Sequence, residues 1–274
     1  MCGHLDNFRS NSVQVFGRGE HAFCLKENKA KLKENISKML SEGSVPCVIM
    51  AADQDPLPAV KKACLSADVP LLKTTMDSSS FVTEFSRFLD EKLSPVTHMH
   101  GVLVGVSGIG VLIRGDAGIG KSECALELIK RGHILVADDV VEVQKRWGHF
   151  LMGSCPTMLK HYMEVRGLGI IDVELLFGVG STLDEMKIEL EVVLTSPQKM
   201  AMDRLGVEQK TTTILDVEIP SLGIPVTPGR NLAVLIEVAA LNQRLKSQGI
   251  FSAKEFSKKI LDRMKKSAKN NGKQ

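Results

Sequence analysis

Apolar positions in the first third of the chain come in short runs separated by longer amphipathic stretches. Ser12-Val13-Gln14-Val15-Phe16-Gly17 predicts a short strand closed by a turn, and residues 27–42 predict a helix with Leu32, Ile36, Met39 and Leu40 on one side. Residues 45–52 are almost wholly apolar and predict a buried strand. A helix over 58–68, a third strand over 69–72 and a helix over 77–92 follow. Asp77 or Ser78 is placed to cap the last of these, and Phe81, Phe85 and Leu89 form the stripe it is expected to bury. Strands alternating with helices predict a small parallel α/β unit. Its titratable side chains do not gather at catalytic spacing, so its role is not legible.

Ser94-Pro95 interrupts helical periodicity, and a new apolar run begins at Val96. This divides the chain into an N-terminal α/β domain, 1–94, and a larger domain, 95–274. The second is strand-rich, with a helix over 120–131 whose buried side is Ala125, Leu126, Leu128 and Ile129. Lys187-Ile188-Glu189-Leu190-Glu191-Val192-Val193-Leu194 alternates charged and apolar residues, as a half-exposed antiparallel strand would. Helices are expected over 230–247 and 253–266, followed by a frayed end. The fold class is α/β, with a mixed sheet and C-terminal helices in the second domain.

Charge changes this picture little. Of 274 residues, 35 are Lys or Arg and 32 Asp or Glu, and eight of the basic residues fall within 253–274 against two acidic ones. The remainder is near neutral, which argues against tracking a nucleic-acid backbone. Cys2, Cys24, Cys47, Cys64, Cys124 and Cys155 form no C-x-x-C pair and read as reduced, mostly buried thiols. The N-terminus has no basic start followed by an apolar run, and no stretch suits a membrane span, so a cytoplasmic protein is expected.

Chemistry concentrates in Gly115-Asp116-Ala117-Gly118-Ile119-Gly120-Lys121-Ser122, which satisfies G-x-x-x-x-G-K-[ST] at every fixed position. Glycines let successive backbone N–H groups turn toward phosphate oxygens, Lys121 supplies a cation and Ser122 a hydroxyl ligand for magnesium. Gly110-Val111-Leu112-Ile113 is the required strand before the loop, and the helix from Lys121 adds its positive end. Ile134-Leu135-Val136-Ala137-Asp138-Asp139 is a second apolar strand ending in two carboxylates. These acids read either as a magnesium partner or a base, or as a helix cap or turn; following the phosphate-loop helix favours the functional reading. N-K-x-D, L-S-G-G-Q and helicase motifs are absent from the sequence, which leaves a phosphotransferase ahead of a plain ATPase.

Several further segments sharpen this. His100-Gly101-Val102-Leu103, Lys130-Arg131-Gly132-His133, Ala137-Asp138-Asp139, Glu164-Val165-Arg166-Gly167-Leu168-Gly169-Ile170-Ile171-Asp172 and Pro225-Val226-Thr227-Pro228-Gly229-Arg230-Asn231-Leu232-Ala233 occur in this order around the phosphate loop. Together they resemble the HPr kinase/phosphorylase family across 96–255, and 1–92 resembles the back portion of that family's N-terminal domain. The resemblance implies a phosphoenolpyruvate-carboxykinase-like phosphate-loop domain, ATP as phosphoryl donor, Mg2+ as cofactor and a homo-hexamer. It also implies phosphorylation of a serine on the phosphocarrier protein HPr, reversed by inorganic phosphate with release of pyrophosphate.

Carried onto this chain, the resemblance assigns Lys121 to the transferring phosphoryl group and Ser122 and Glu164 to magnesium. Asp139 becomes the base in one direction and the acid in the other, with His100 and Asp138 in support. Arg204 offsets charge on the phosphoryl group; Arg166, Gly167, Gly169 and Asp172 of the signature and Pro225, Pro228, Gly229 and Arg230 of the late loop are supporting. Each has a plainer alternative: a turn for His100 and for 167–169, a surface charge for Arg204, an exposed strand with a salt bridge for Glu164-Val165-Arg166. The late loop carries Thr227 where the family usually has Arg, which removes a phosphate contact from the loop tied to dephosphorylation. The competing functions are a kinase or carboxykinase-like enzyme acting on a small metabolite, and a non-catalytic nucleotide sensor.

Overall fold

The computed structural model describes residues 8, 11–41, 44–197, 210–253, 255–256 and 258–260. They form two compact units, Met1–Lys92 and Leu93–Gln274. The first contains β1 (Gln14–Phe16), α1 (Arg18–Lys26), α2 (Lys29–Ser41), β2 (Val48–Met50), α3 (Pro58–Ser66), β3 (Leu71–Lys73) and α4 (Ser78–Leu93). The three strands pair in parallel in the order β1-β2-β3. Phe16, Leu32, Ile36, Val48, Met50 and Val60 are among the side chains filling the core. β2 is shorter than its apolar run because Ala52 and Asp53 take positive φ (56° and 58°), which turns the chain out of the sheet.

Two helices depart from the sequence expectation. α1 has no apolar stripe and buries only Cys24, so periodicity could not announce it; it opens at Gly17, whose N–H donates to the Glu20 carboxylate. The Asp77 carboxylate does cap α4, accepting from the N–H groups of Ser79 and Ser80, but the stripe it carries is not buried. Phe81 and Phe85 stack with centroids 5.2 Å apart and Phe88 extends the stack, 53% exposed, so the aromatic rings cover one another.

The second unit contains β4 (Val96–His100), β5 (Val102–Val106), β6 (Ile109–Gly115), α5 (Lys121–Lys130), β7 (Ile134–Ala137), β8 (Val140–Arg146) and β9 (Phe150–Ser154). After these come β10 (Tyr162–Val165), β11 (Gly169–Asp172), α6 (Val173–Phe177), β12 (Glu185–Thr195), β13 (Lys210–Ile214), β14 (Val217–Pro225) and α7 (Leu232–Ser247). Residues 252–253, 255–256 and 258–260 are helical, and the rest of the helix expected to 266 lies outside the described residues. The large sheet runs β4-β8-β9-β12-β6-β5-β7, with β14 also paired to β12 and β13 to β14. Residues from α5, α7 and the β10–β11 hairpin fill one core, including Leu128, Ile236 and Met163. Leu103, Leu112, Val141 and Leu151 belong to a second core cluster.

β12 corrects the sequence reading. Only Glu185–Lys187 pairs antiparallel, with β9; from Ile188 onward the strand is parallel to β6, and from Glu191 it is parallel to β14 as well. The alternating face is open to solvent at Lys187 and half-buried at Glu189, as expected, but closes over Glu191. Glu191 is 2% exposed and accepts from Arg114 Nη1 at 2.9 Å and from Ser221 Oγ at 2.6 Å. Both oxygens are thus engaged, which is what allows a carboxylate inside a sheet.

Direction matters for the site. β6, β12 and β14 are mutually parallel, and β5 is antiparallel to both β6 and β7, so β6 and β7 run the same way. The ends of four strands, Gly115, Ala137, Thr195 and Pro225, therefore face one edge of the sheet, where α/β folds gather their ligand-binding loops. Among the described residues no helix is long and apolar enough to cross a membrane. Cys47, Cys64, Cys124 and Cys155 carry free thiols, and burial raises those of Cys124 to about 12 and Cys155 to about 11. Replacing Glu191 with Ala strands the Arg114 guanidinium and the Ser221 hydroxyl. It should lower unfolding free energy by about 1–3 kcal/mol in urea titrations; unchanged stability would refute the role given to this pair.

Candidate active site

β6 delivers the phosphate loop and α5 receives it, as the motif requires. Gly115 leaves the strand beside β12; a Cβ there would lie 2.5 Å from the Leu194 carbonyl oxygen, so only glycine permits this approach. Gly118 has φ +78°, and a Cβ would meet the Arg166 guanidinium at 2.6 Å. The loop is closed by Ile119 N–H donating to the Asp116 carbonyl at 3.3 Å, with Ile119 packed on the core below. Ala117 is exposed beside Asp116, and Gly120, in the left-handed region, starts α5. Lys121 Nζ donates to the carbonyls of Gly115 and Asp116 at 3.1 and 3.2 Å, which holds the ammonium against the loop.

The two acids after β7 occupy opposite environments. Asp138 is 5% exposed; its Oδ1 accepts from Ser122 Oγ and its Oδ2 from the Glu164 N–H, both at 3.1 Å. Burial raises its carboxyl above the ordinary range, and these hydrogen bonds oppose the rise. At Asp139 the backbone turns through φ +64°, a conformation Asp tolerates better than most residues, and the side chain emerges into solvent. Its carbonyl accepts from Gly101 N–H at 3.0 Å, which brings His100 alongside: His100 Nδ1 lies 3.8 Å from Asp139 Oδ1.

The β10–β11 hairpin supplies the rest. Met163 and Val165 point into the core, so the alternate position, Glu164, is exposed next to Asp138. Arg166 follows and reaches Gly118, while Gly167 and Gly169 make the hairpin turn with φ +85° and +86°. Asp172 serves the backbone, capping α6 by accepting from the Leu175 N–H at 2.9 Å. The late loop leaves β14 at Pro225, is fastened by Val226 N–H to the Thr195 carbonyl at 2.8 Å, and contains Pro228, left-handed Gly229 and Arg230. Arg204 lies outside the described residues. Sequence reasoning passed over Arg114 and Glu191 under the loop, and over Glu127 and Asn231, whose side chains join α5 to the late loop at 2.6 Å. Only the last carried a local signal, an Asn ahead of an apolar helix.

For a metal, the described residues hold no cluster of three or more His, Cys, Asp or Glu side chains. Ser122, Asp138 and Glu164 nevertheless offer oxygen donors only, and sparse oxygen donors beside a phosphate site suit Mg2+, which keeps water and phosphate ligands of its own.

A strand running into this loop, a helix leaving it and a carboxylate-tipped strand beside it define a phosphate-loop nucleotide-binding protein. Residues 91–260 match the HPr Serine kinase C-terminal domain family and residues 1–89 the HPr Serine kinase N terminus family. The chain belongs to the HPr kinase/phosphorylase family. It is 43% identical over 265 residues to an HPr kinase/phosphorylase of Geobacter sulfurreducens, covering 96% of this chain and 83% of that one. It is 44% identical over 264 residues to that of Leptospira biflexa, covering 95% and 81%. The solved HPr(Ser) kinase/phosphatase from Coxiella burnetii is 40% identical and superposes with a TM-score of 0.54, over 58% of this chain and 98% of that one.

Gly118→Ala strains the backbone at φ +78° and obliges the flexible Arg166 guanidinium to move aside. ATP affinity measured by calorimetry should fall about fivefold or more, from about 1–3 kcal/mol of strain; wild-type affinity would show that the left-handed glycine does not shape the loop.

Proposed function

We propose that this protein transfers the γ-phosphoryl group of ATP to a serine hydroxyl of the phosphocarrier protein HPr, and reverses the transfer with inorganic phosphate. The observation that carries the reading is the split pair of acids: Asp138 is buried and committed to Ser122 and Glu164, while Asp139 is open to a substrate. Neighbouring carboxylates in contrasting environments take different roles.

In the forward direction Asp139 takes the serine proton as the serine oxygen bonds to the γ-phosphorus and the bond to the ADP oxygen breaks. In reverse, a phosphate oxygen attacks the phosphoserine phosphorus, the bond to the serine oxygen breaks, and Asp139 returns the proton as pyrophosphate leaves. His100 orients Asp139 from 3.8 Å or shares its proton. Lys121 and Arg204 offset charge on the transferring group, and Arg166 braces the loop at Gly118. Ser122 and Glu164 are the residues that would hold Mg2+, which when bound would add charge neutralisation for the transfer. Thr227 contributes no cation to the late loop, which leaves Arg230 as the guanidinium in that segment.

Free thiols fit a cytoplasmic protein. Leu168 and Ile170 of the β10–β11 hairpin, Leu175, Leu176 and Phe177 of α6 and Val179 just after it are exposed large apolar side chains within one stretch of chain, and we assign them to contacts between copies in a homo-hexamer. Sedimentation velocity decides this point: a single-copy species at micromolar concentration would refute it.

Asp139→Asn should reduce phosphoryl transfer to HPr by about a hundredfold or more while ATP still binds; retained transfer rules out the base. Serine-phosphorylated HPr incubated with inorganic phosphate should yield pyrophosphate. Active forward transfer without that product would restrict the protein to the kinase direction.

A further inference from the structure

Asn231 stands where the late loop becomes α7, and it uses both ends of its amide. Its Oδ1 accepts from the Val234 N–H at 3.0 Å, which caps the helix, and its Nδ2 donates to Glu127 Oε1 at 2.6 Å. The two partners, one donor and one acceptor, permit a single orientation of the amide. Glu127 belongs to α5, the helix that begins at the phosphate loop. The same Oε1 accepts from Arg131 at 2.8 Å, Arg131 reaches Glu237 of α7 at 3.3 Å, and Glu237 also pairs with His133 at 2.9 Å. Asn231 first and Arg131 second hold the Glu127 carboxyl below its ordinary range. Beneath this polar seam, Leu128 and Cys124 of α5 belong to one core with Ala233, Ile236 and Ala240 of α7.

The late loop is therefore fastened at two points. Its start is tied to β12 through Val226 and Thr195, and its end to α5 through Asn231 and Glu127; between them, Arg230 N–H bonds to the Thr227 carbonyl at 3.2 Å. We infer that Glu127 is a positioning residue for the late loop, setting its register against the phosphate loop through the amide of Asn231. The inference rests on the proposed function only in expecting that the late loop serves the phosphate-consuming direction.

Asn231→Asp separates tethering from capping. Asp caps helices as well as Asn does, but it replaces the donor facing Glu127 with a second carboxylate. In full-length protein, the rate of pyrophosphate formation from serine-phosphorylated HPr and phosphate should fall about tenfold, equivalent to about 1.4 kcal/mol. The KM for phosphate should rise, ATP affinity should hold, and amide exchange over 226–231 should accelerate. Adding Glu127→Gln restores a donor–acceptor pair, since the introduced amide donates to the introduced carboxylate, and should recover most of the loss in both readouts. Wild-type exchange in Asn231→Asp, or a double variant no better than the single, overturns the inference. If the wild-type protein transfers phosphate in neither direction, the functional reading falls and the exchange comparison alone decides the tether.

Discussion

One buried carboxylate holds the site together. Asp138 spends one oxygen on the hydroxyl of Ser122 and the other on the N–H of Glu164. It thereby joins the phosphate-loop helix, the end of β7 and the β10–β11 hairpin, three pieces the chain visits separately. A carboxylate at 5% exposure is tolerated only while both oxygens are engaged, so displacing either the helix or the hairpin leaves one buried oxygen unpaired, and displacing the strand end strips both of the others. The remaining geometry follows. Glu164 is aimed by its own backbone bond, Arg166 is carried to Gly118 two residues later, and Asp139 is turned outward because its neighbour is turned in.

The sheet supplies the frame for that contact. β12 is the shared strand, antiparallel to β9 for three residues and then parallel to β6 and β14, which points the phosphate loop and the late loop at the same edge. Gly115 lies against Leu194, and Val226 against Thr195, so both loops are registered to consecutive residues of one strand. Asn231 and Glu127 tie the loops a second time through helices.

Much of this is legible in the sequence because the relevant signals are local. Phosphate-loop spacing, the flanking strand and helix, and the apolar runs of α2, α5 and α7 depend on residues within a few turns of each other, and the structure places them as read. What escapes depends on burial or on distant partners. Glu191 looks like a solvent-facing position because alternation cannot distinguish an exposed charge from one neutralised by Arg114, 77 residues away. The aromatic stripe of α4 looks like core because three rings can also shelter one another. Arg166 over Gly118 and Glu127 on Asn231 are tertiary contacts with no periodic signature. α1 lacks a stripe altogether.

The left-handed turn at Asp139 has a consequence for how the site can vary. Because the backbone reverses between the two acids, their roles are asymmetric and cannot be exchanged by a side-chain rotation. An inward residue must satisfy two donors, and an outward one must accept a positive φ that disfavours branched and bulky side chains. The pair therefore behaves as one two-residue device with a narrow vocabulary, and a change at either position constrains what the other can be.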